Sequence, residues 1–331
     1  IERSMIPTGA IIKEKKAGSK DTVSADYIIT DSLQPIYDKA IKVAQADNVT
    51  VLITGESGTG KEHLANYIHL NSPRRDNAFI TINCSAFSDS LLESRLFGYK
   101  KGAFTDAKED TKGIFEQAIG GCIFLDEIGD ISPYMQQSLL RVIQQKEITP
   151  IGGVPRKIDV RIITATNKNL PKECGEGSFR WDLFYRLSTV ELKLPSLLER
   201  GQKEVKVLLE HFIKTKKKEF GRENKLELNK EIIQIILDYP WPGNVRELEN
   251  VIESLYVFNE LEADKDSLPD RLFESEVGKP LTWEYVEKEH IKKVLGICKG
   301  NQNKTAETIG YAINTLRAKM KAYEIDAEEF K

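Results

Sequence analysis

The sequence predicts an α/β domain built on a parallel sheet, an all-α subdomain behind it, and an all-α helix-turn-helix module at the carboxy end. Three observations carry that reading. Between Tyr27 and Pro195 short apolar runs alternate with helical patterns, the pattern of a parallel sheet with crossover helices. From Gln202 to Phe258 amphipathic patterns follow one another with no strand between them. From Leu281 to Tyr323 three further helical patterns recur, the last two meeting at Gly310.

Taken in order, residues 1 to about 24 are polar and lysine-rich without apolar periodicity, which predicts a linker or ragged end. Buried strands are expected at Val49–Thr54, Phe79–Asn83, Cys122–Leu125, Val160–Thr164 and Thr189–Lys193. They place the α/β subdomain at 25–197. Helices at Gln202–Glu219, Lys230–Tyr239 and Val245–Phe258 give a helical subdomain at 198–262. The polar, proline-bearing stretch that follows predicts a linker at 263–279 and a last domain at 280–331.

At 331 residues the chain is long enough for two or three domains, and 40% apolar residues with a net charge of -3 describe an ordinary soluble protein. No run approaches the roughly 18 apolar residues of a membrane helix, and the amino terminus lacks a signal pattern, so no membrane partner and a cytoplasmic location are expected. Cys84, Cys122, Cys174 and Cys298 have no metal or redox spacing and are expected to be structural thiols. A chain beginning at Ile1 suggests a fragment whose upstream sensory domain is not included.

The chemistry begins at Gly55-Glu56-Ser57-Gly58-Thr59-Gly60-Lys61, which follows an apolar strand and opens a helix bearing Leu64, Ala65 and Ile68. This is the context a phosphate loop needs. Glycines let backbone N–H groups wrap phosphates, the helix N-terminus favours negative charge, and Lys61 reaches the β/γ oxygens of ATP. Glu62 stands where the general pattern has a Mg²⁺-binding Ser or Thr. At Ile123-Phe124-Leu125-Asp126-Glu127 an apolar strand ends in two carboxylates at the sheet edge where ligands bind. Asp126 is the expected Mg²⁺ residue, through water or directly, and Glu127 the residue that polarises the attacking water. Asn167 closes the next strand, where it fits either a γ-phosphate contact or turn chemistry. Arg180 and Arg186, by themselves, fit pairing with Asp182 or solvent equally well.

Between the two motifs, Gly102-Ala103-Phe104-Thr105-Asp106-Ala107 has little side-chain bulk and one large ring, the composition of a loop tip that presents Phe104 outward. With Glu93-Ser94-Arg95-Leu96-Phe97-Gly98 before it, this segment resembles the GAFTGA loop of bacterial sigma-54-dependent transcription activators. Further motifs resemble the AAA+ domain of that family from about Tyr27 to Phe258: GESGTGKE, the Asn83-Cys84 pair, LFGYKKGAFT, IFLDEIGD, TATN, FRWDLFYRL and WPGNVREL. The resemblance implies an ATPase that works as a ring, usually a hexamer, and contacts sigma-54 RNA polymerase through Phe104 and Thr105. It implies that Asn83 is a switch holding Glu127 from water, Asn167 sensor I, and Arg246 sensor II on the lid. Arg180 and Arg186 would be arginine fingers entering a neighbour's ATP. Asp106 replaces the family's second glycine, which predicts a stiffer and less apolar loop tip.

In the last module Leu316, Met320 and Tyr323 fall on one helix face and leave Asn314, Arg317 and Lys321 outward as candidate contacts to double-stranded DNA. Lys288 to Tyr323 holds eight Lys/Arg against two Glu, a surplus of +6 in an acidic chain. Gly300-Asn301, Ala306-Glu307, Ile309-Gly310 and Thr315-Leu316 resemble the Fis-type domain that ends these activators. Ala312 sits where the family usually caps the recognition helix with Ser. The implied function is an ATP-dependent activator that binds upstream DNA as a dimer or larger homo-oligomer. Two alternatives remain at this point: a DNA-binding AAA+ regulator that does not engage sigma-54, and a remodelling motor with an incidental helical tail.

Overall fold

A computed structural model describes residues 28–273, 283–323 and 325–330; the expected linker at 1–24 and the 274–279 part of that at 263–279 lie outside them. The chain divides into two compact units, residues 1–272 and 273–331.

The first unit is organised by a five-stranded sheet: β1 (Val51–Thr54), β2 (Phe79–Asn83), β3 (Cys122–Asp126), β4 (Arg161–Thr166) and β5 (Val190–Lys193), in the order β2-β3-β4-β1-β5. Every pairing is parallel. The central strands are buried on both faces, which is why they read as continuous apolar runs. Their side chains alternate. Leu52, Ile80, Ile82, Ile123, Leu125 and Ile162 enter the core on one face. Val51, Ile53, Phe124, Ile163, Ala165 and Leu192 enter that on the other.

Helices Gln34–Gln45 and Lys61–Leu70 cover the second face with Tyr37, Ala40, Leu64, Ala65 and Ile68. Helices Asp89–Phe97, Pro133–Gln145 and Trp181–Leu187 cover the first. All four cysteines are buried free thiols. Burial pushes the Cys84 thiol up to about 12.

Behind the sheet, helices Leu197–Arg200, Gln202–Glu219, Lys230–Asp238 and Asn244–Phe258 form a lid with its own core around Trp241, Leu248, Ile252 and Tyr256. The lid core extends past the boundary expected at 262. Ala263, Leu268 and Leu272 pack into it along a segment that contains two short 3-10 turns, Lys265–Ser267 and Asp270–Leu272. Pro269 and the surrounding polar residues make that segment look like a linker, yet one apolar side chain every four or five residues is enough to anchor it.

Within the second unit, helices Trp283–Ile297, Gln302–Ile309 and Ile313–Ala322 enclose Ile291, Leu295, Ala306, Leu316 and Met320. Asn301 caps the middle helix, and Gly310 ends it in the left-handed conformation at φ 79°. The last helix starts at Ala312 with no side-chain cap.

Candidate active site

Register brings the sequence motifs together. Asn83 ends β2 opposite Asp126 of β3, and Thr54 ends β1 opposite Thr166 of β4. The residues that follow these ends, Gly55, Glu127 and Asn167, therefore sit along one edge of the sheet, at the carboxyl ends of its strands. A cleft of about 390 Å³ opens at this edge, lined by Gly58, Gly60, Lys61, Asn83, Asp126 and Glu127 and, from the lid, by Arg246.

The phosphate loop is held by its carbonyl groups. Lys61 Nζ donates to the Gly55 and Glu56 oxygens at 2.9 and 3.2 Å, and Thr59 Oγ1 also donates to the Glu56 oxygen at 2.8 Å. The Ser57 oxygen accepts from Asn244 Nδ2 at 3.0 Å, that of Gly58 from the Val245 N–H at 3.1 Å, and that of Thr59 from Arg200 at 2.8 Å. Carbonyl and following N–H point opposite ways across a planar peptide. Tying each oxygen back to the protein thus turns the N–H groups from Ser57 to Gly60 away from it. Among the described residues none of those four donates a hydrogen bond, and unspent donors are what an anion needs. Gly58, at φ 78°, cannot be replaced: a Cβ there would stand 2.2 Å from the Gly243 oxygen.

Lys61 is 7% exposed and its Nζ lies 3.9 Å from Glu127 Oε1. Burial lowers its pKa, against the pull of Glu127 and Asp126. Asp126 is raised, first by burial and then by the neighbouring Glu127. Two carboxylates crowded in a partly buried pocket favour a cation, and the phosphates of a nucleotide would supply its remaining oxygen ligands. The donor set fits Mg²⁺ on that ground, although the described residues hold no cluster of three or more protein ligands.

Glu127 has a left-handed backbone at φ 51°, so its carboxylate turns back over the strand end. Its Oε2 accepts from the Asn167 N–H at 3.3 Å. Asn167 thereby meets Glu127 through its main chain. Asn83 lines the cleft but is engaged elsewhere: its Oδ1 accepts from Ser85 N and Oγ at 2.9 and 2.7 Å, capping a 3-10 turn. Its expected hold on Glu127 is not made in this state. Arg246 lines the cleft from the lid, and the exposed Glu62 lines the opposite side.

Arg180 and Arg186 lie outside the cleft on the surface. Arg180 forms a two-point pair with Asp182 at 3.0 and 2.7 Å, the outcome its sequence context left open. The Phe104 loop is also remote from the cleft. Phe104 is 45% exposed and packs edge-on against Tyr99, ring centroids 4.8 Å apart. Thr105 and Asp106 are exposed beside it. Gly102 has φ 81°, whereas Asp106 is not among the residues with positive φ. The stiffening expected from the missing glycine therefore carries no backbone strain here; what remains is the charge.

Asn314, Arg317 and Lys321 are exposed on the last helix of the second unit, with Arg317 Nε bonded to Gln302 at 3.2 Å. That helix is fastened by Glu287, which takes Lys319 and Tyr311 at 2.7 Å each and also Tyr323. Two residues to which sequence reading gave no role hold the phosphate loop: Asn244, within the WPGNVREL motif, and Arg200, which also lines the cleft. Asparagine after glycine reads as a turn, and arginine four before a glutamate reads as a solvated helix pair.

Sheet order, phosphate loop and docked lid define the class: an AAA+ nucleotide-binding fold. Three family models divide the chain as the structure does. "Sigma-54 interaction domain" matches residues 28–193, "AAA+ ATPase lid domain" 199–282, and "Bacterial regulatory protein, Fis family" 282–323. The chain belongs to the family of sigma-54 interaction proteins that combine these three modules. It is 41% identical over 326 residues to nitrogen fixation protein AnfA of Azotobacter vinelandii, covering 95% of this chain but only 61% of that one. With transcriptional regulatory protein GlrR of Escherichia coli (strain K12) it shares 39% over 329 residues, covering 96% and 72%. The solved structure of NtrX from Brucella abortus in complex with ADP superposes with a TM-score of 0.69 at 29% identity, covering 90% of this chain and 70% of that one. No helix among the described residues is long and apolar enough to cross a membrane.

Proposed function

We propose that the chain hydrolyses ATP to remodel sigma-54 RNA polymerase while its carboxy-terminal unit holds upstream DNA, in the cytoplasm. The observation that carries this is the convergence of Lys61, Asp126 and Glu127 on a cleft whose phosphate-loop N–H groups are unspent. The loop N–H groups and Lys61 bind and orient the triphosphate. Mg²⁺ held by Asp126 would supply charge neutralisation at the phosphates. Glu127 orients a water and accepts its proton, a role helped by the Asn167 N–H and Lys61 that hold its carboxylate in place. Arg246 adds positive charge from the lid.

Working as a ring of copies would complete the site. Charge developing at the γ-phosphate needs a further cation, and Arg180 and Arg186 are exposed and are not part of their own cleft's lining. Arg180 would have to exchange Asp182 for the neighbour's nucleotide. Phe104 and Thr105, exposed and apart from the chemistry, suit a partner contact driven by hydrolysis.

The test is capture of purified sigma-54 by the chain with a transition-state mimic of ATP hydrolysis, compared with ADP. Capture under the mimic alone supports the proposal. Intact ATPase and DNA binding without capture would instead favour a DNA-binding regulator that leaves sigma-54 alone, the outcome to which the charge of Asp106 points.

A further inference from the structure

A second set of side chains reaches the phosphate loop from the lid, where Arg200 and Glu204 also line the cleft. Arg200 and Glu204 have side chains only 1% and 5% exposed and lie 3.7 Å apart. Buried charges normally persist only when their partners are fixed. Glu204 takes Thr30 Oγ1 at 2.5 Å on one oxygen and Ser32 Oγ at 3.0 Å on the other. Arg200 donates from Nε to the Pro195 oxygen at 3.1 Å and from its NH2 nitrogen to the Thr59 oxygen at 2.8 Å.

The chain of contacts does not stop there. Thr59 Oγ1 bonds the Glu56 oxygen, which also takes Lys61 Nζ. An unbroken path thus runs from Thr30 and Ser32, where the chain enters the domain, through Glu204, Arg200, Thr59 and Glu56 to Lys61. At its centre the arginine sets one peptide plane. With the Thr59 oxygen held outward, the N–H of Gly60 in the same plane points the other way.

We propose that Thr30, Ser32, Glu204 and Arg200 form a positioning relay that sets the phosphate loop, so that nucleotide affinity depends on how the entering segment sits. The relay rests on the reading of the cleft as an ATP site. Thr30 and Ser32 are not in the cleft lining, so their effect reaches the loop through Glu204, Arg200 and the Thr59 peptide. Anything that draws Thr30 and Ser32 away leaves Glu204 without two donors and frees Arg200 to follow it. Displacement of Thr30 and Ser32 would then reach the ATP site through the lid helices that carry Glu204 and Arg200.

The experiment uses the full chain and three variants: Thr30→Val with Ser32→Ala, Arg200→Gln and Arg200→Lys. Titration with a fluorescent ATP analogue gives Kd, and steady-state hydrolysis gives KM and kcat. The double variant is expected to raise Kd and KM together by about tenfold with kcat within about twofold, because only loop positioning is lost. Arg200→Gln should be weaker still, and Arg200→Lys intermediate, since an ammonium keeps the charge for Glu204 but lacks the planar fork that spans two carbonyls. Unchanged Kd in a folded double variant, or a fall in kcat alone, overturns the relay. Should the double variant unfold, the exposed Ser32→Ala decides by itself: a rise of about threefold supports the relay and no rise overturns it. If the unaltered chain binds no nucleotide, the reading of the cleft fails and the relay with it.

Discussion

Asn244 of the lid donates its side-chain amide to the Glu56 carboxylate of the phosphate loop at 3.0 Å. The same nitrogen reaches the Ser57 oxygen, while its Oδ1 accepts from the Leu197 N–H at 2.6 Å. One fully buried carboxamide therefore joins loop, lid helix and the turn between sheet and lid. It does so from a left-handed backbone, φ 54°, that asparagine tolerates better than most residues.

Replacing that residue tests whether the lid is fastened to the loop. Asn244→Asp keeps the size and the backbone preference but sets a carboxylate against Glu56 and removes the donor. A loss of about 2 kcal/mol in denaturant unfolding is expected, together with weaker nucleotide binding. A variant as stable as the parent that binds ATP equally well would mean that the lid is held by its apolar core alone.

Glu127→Gln separates binding from chemistry. The amide keeps the shape of the carboxylate but cannot take a proton from water, so hydrolysis should fall by at least about a hundredfold. Lys61 and the loop N–H groups are untouched, so the Kd for ATP should stay within about threefold. Phosphate release and analogue titration on one preparation measure both.

The loop makes a partner-specific prediction. Phe104→Ala and Thr105→Ala should abolish capture of sigma-54 and leave ATPase turnover and melting unchanged, because Phe104 rests edge-on against Tyr99 and is nearly half exposed. Asp106→Gly should also leave stability nearly unchanged, as Asp106 needs no positive φ. Any gain in capture by that variant would assign the aspartate a tuning role through charge.

The sheet and its chemistry were legible because apolar runs ended in residues with one chemical use. Cys122–Asp126 followed by Glu127 and Val51–Thr54 followed by the glycine loop each gave strand, edge and site at once. Contacts that depend on tertiary closure were not legible. Arg200 and Glu204 have ordinary surface-type sequences around them, and Asn244, though inside a quoted motif, reads as a turn residue; the contacts of Arg200 and Asn244 with the loop form only when the lid docks. The two-residue ladder of Gly98–Tyr99 with Thr111–Lys112, which frames the Phe104 loop, is too short to leave a period. The lid tail to Leu272 was hidden for a related reason: its anchors are isolated apolar residues between polar ones.

Acid should loosen the second unit first at Glu287. Hydrogen bonds from Lys319, Tyr323 and Tyr311 hold its carboxyl at about 2, below the ordinary 4.5. A depressed carboxyl contributes its stabilisation fully above the unfolded value and loses it as the pH falls from about 4.5 towards 2. Helix content followed by circular dichroism should drop across that window. Glu287→Gln should flatten the response and lower melting at neutral pH, since one amide oxygen is left for three donors and Lys319 loses its counter-charge.

DNA contact by the last helix predicts different behaviour for its cations. Lys321 is exposed at the helix end, with no ion pair among the described residues, so it suits a phosphate. Lys321→Ala should weaken binding to all sequences alike and reduce the slope of log K against log salt by about 0.9. Arg317, steered by Gln302, lies one turn nearer the start of the helix, where base edges are read in helix-turn-helix proteins. Arg317→Ala should cost about 1–3 kcal/mol on a cognate site and much less on random DNA. Salt-dependent titrations on both kinds of duplex separate the two. Equal losses on both for Arg317→Ala would make it a second phosphate contact, and no loss for either variant would remove this helix from the groove.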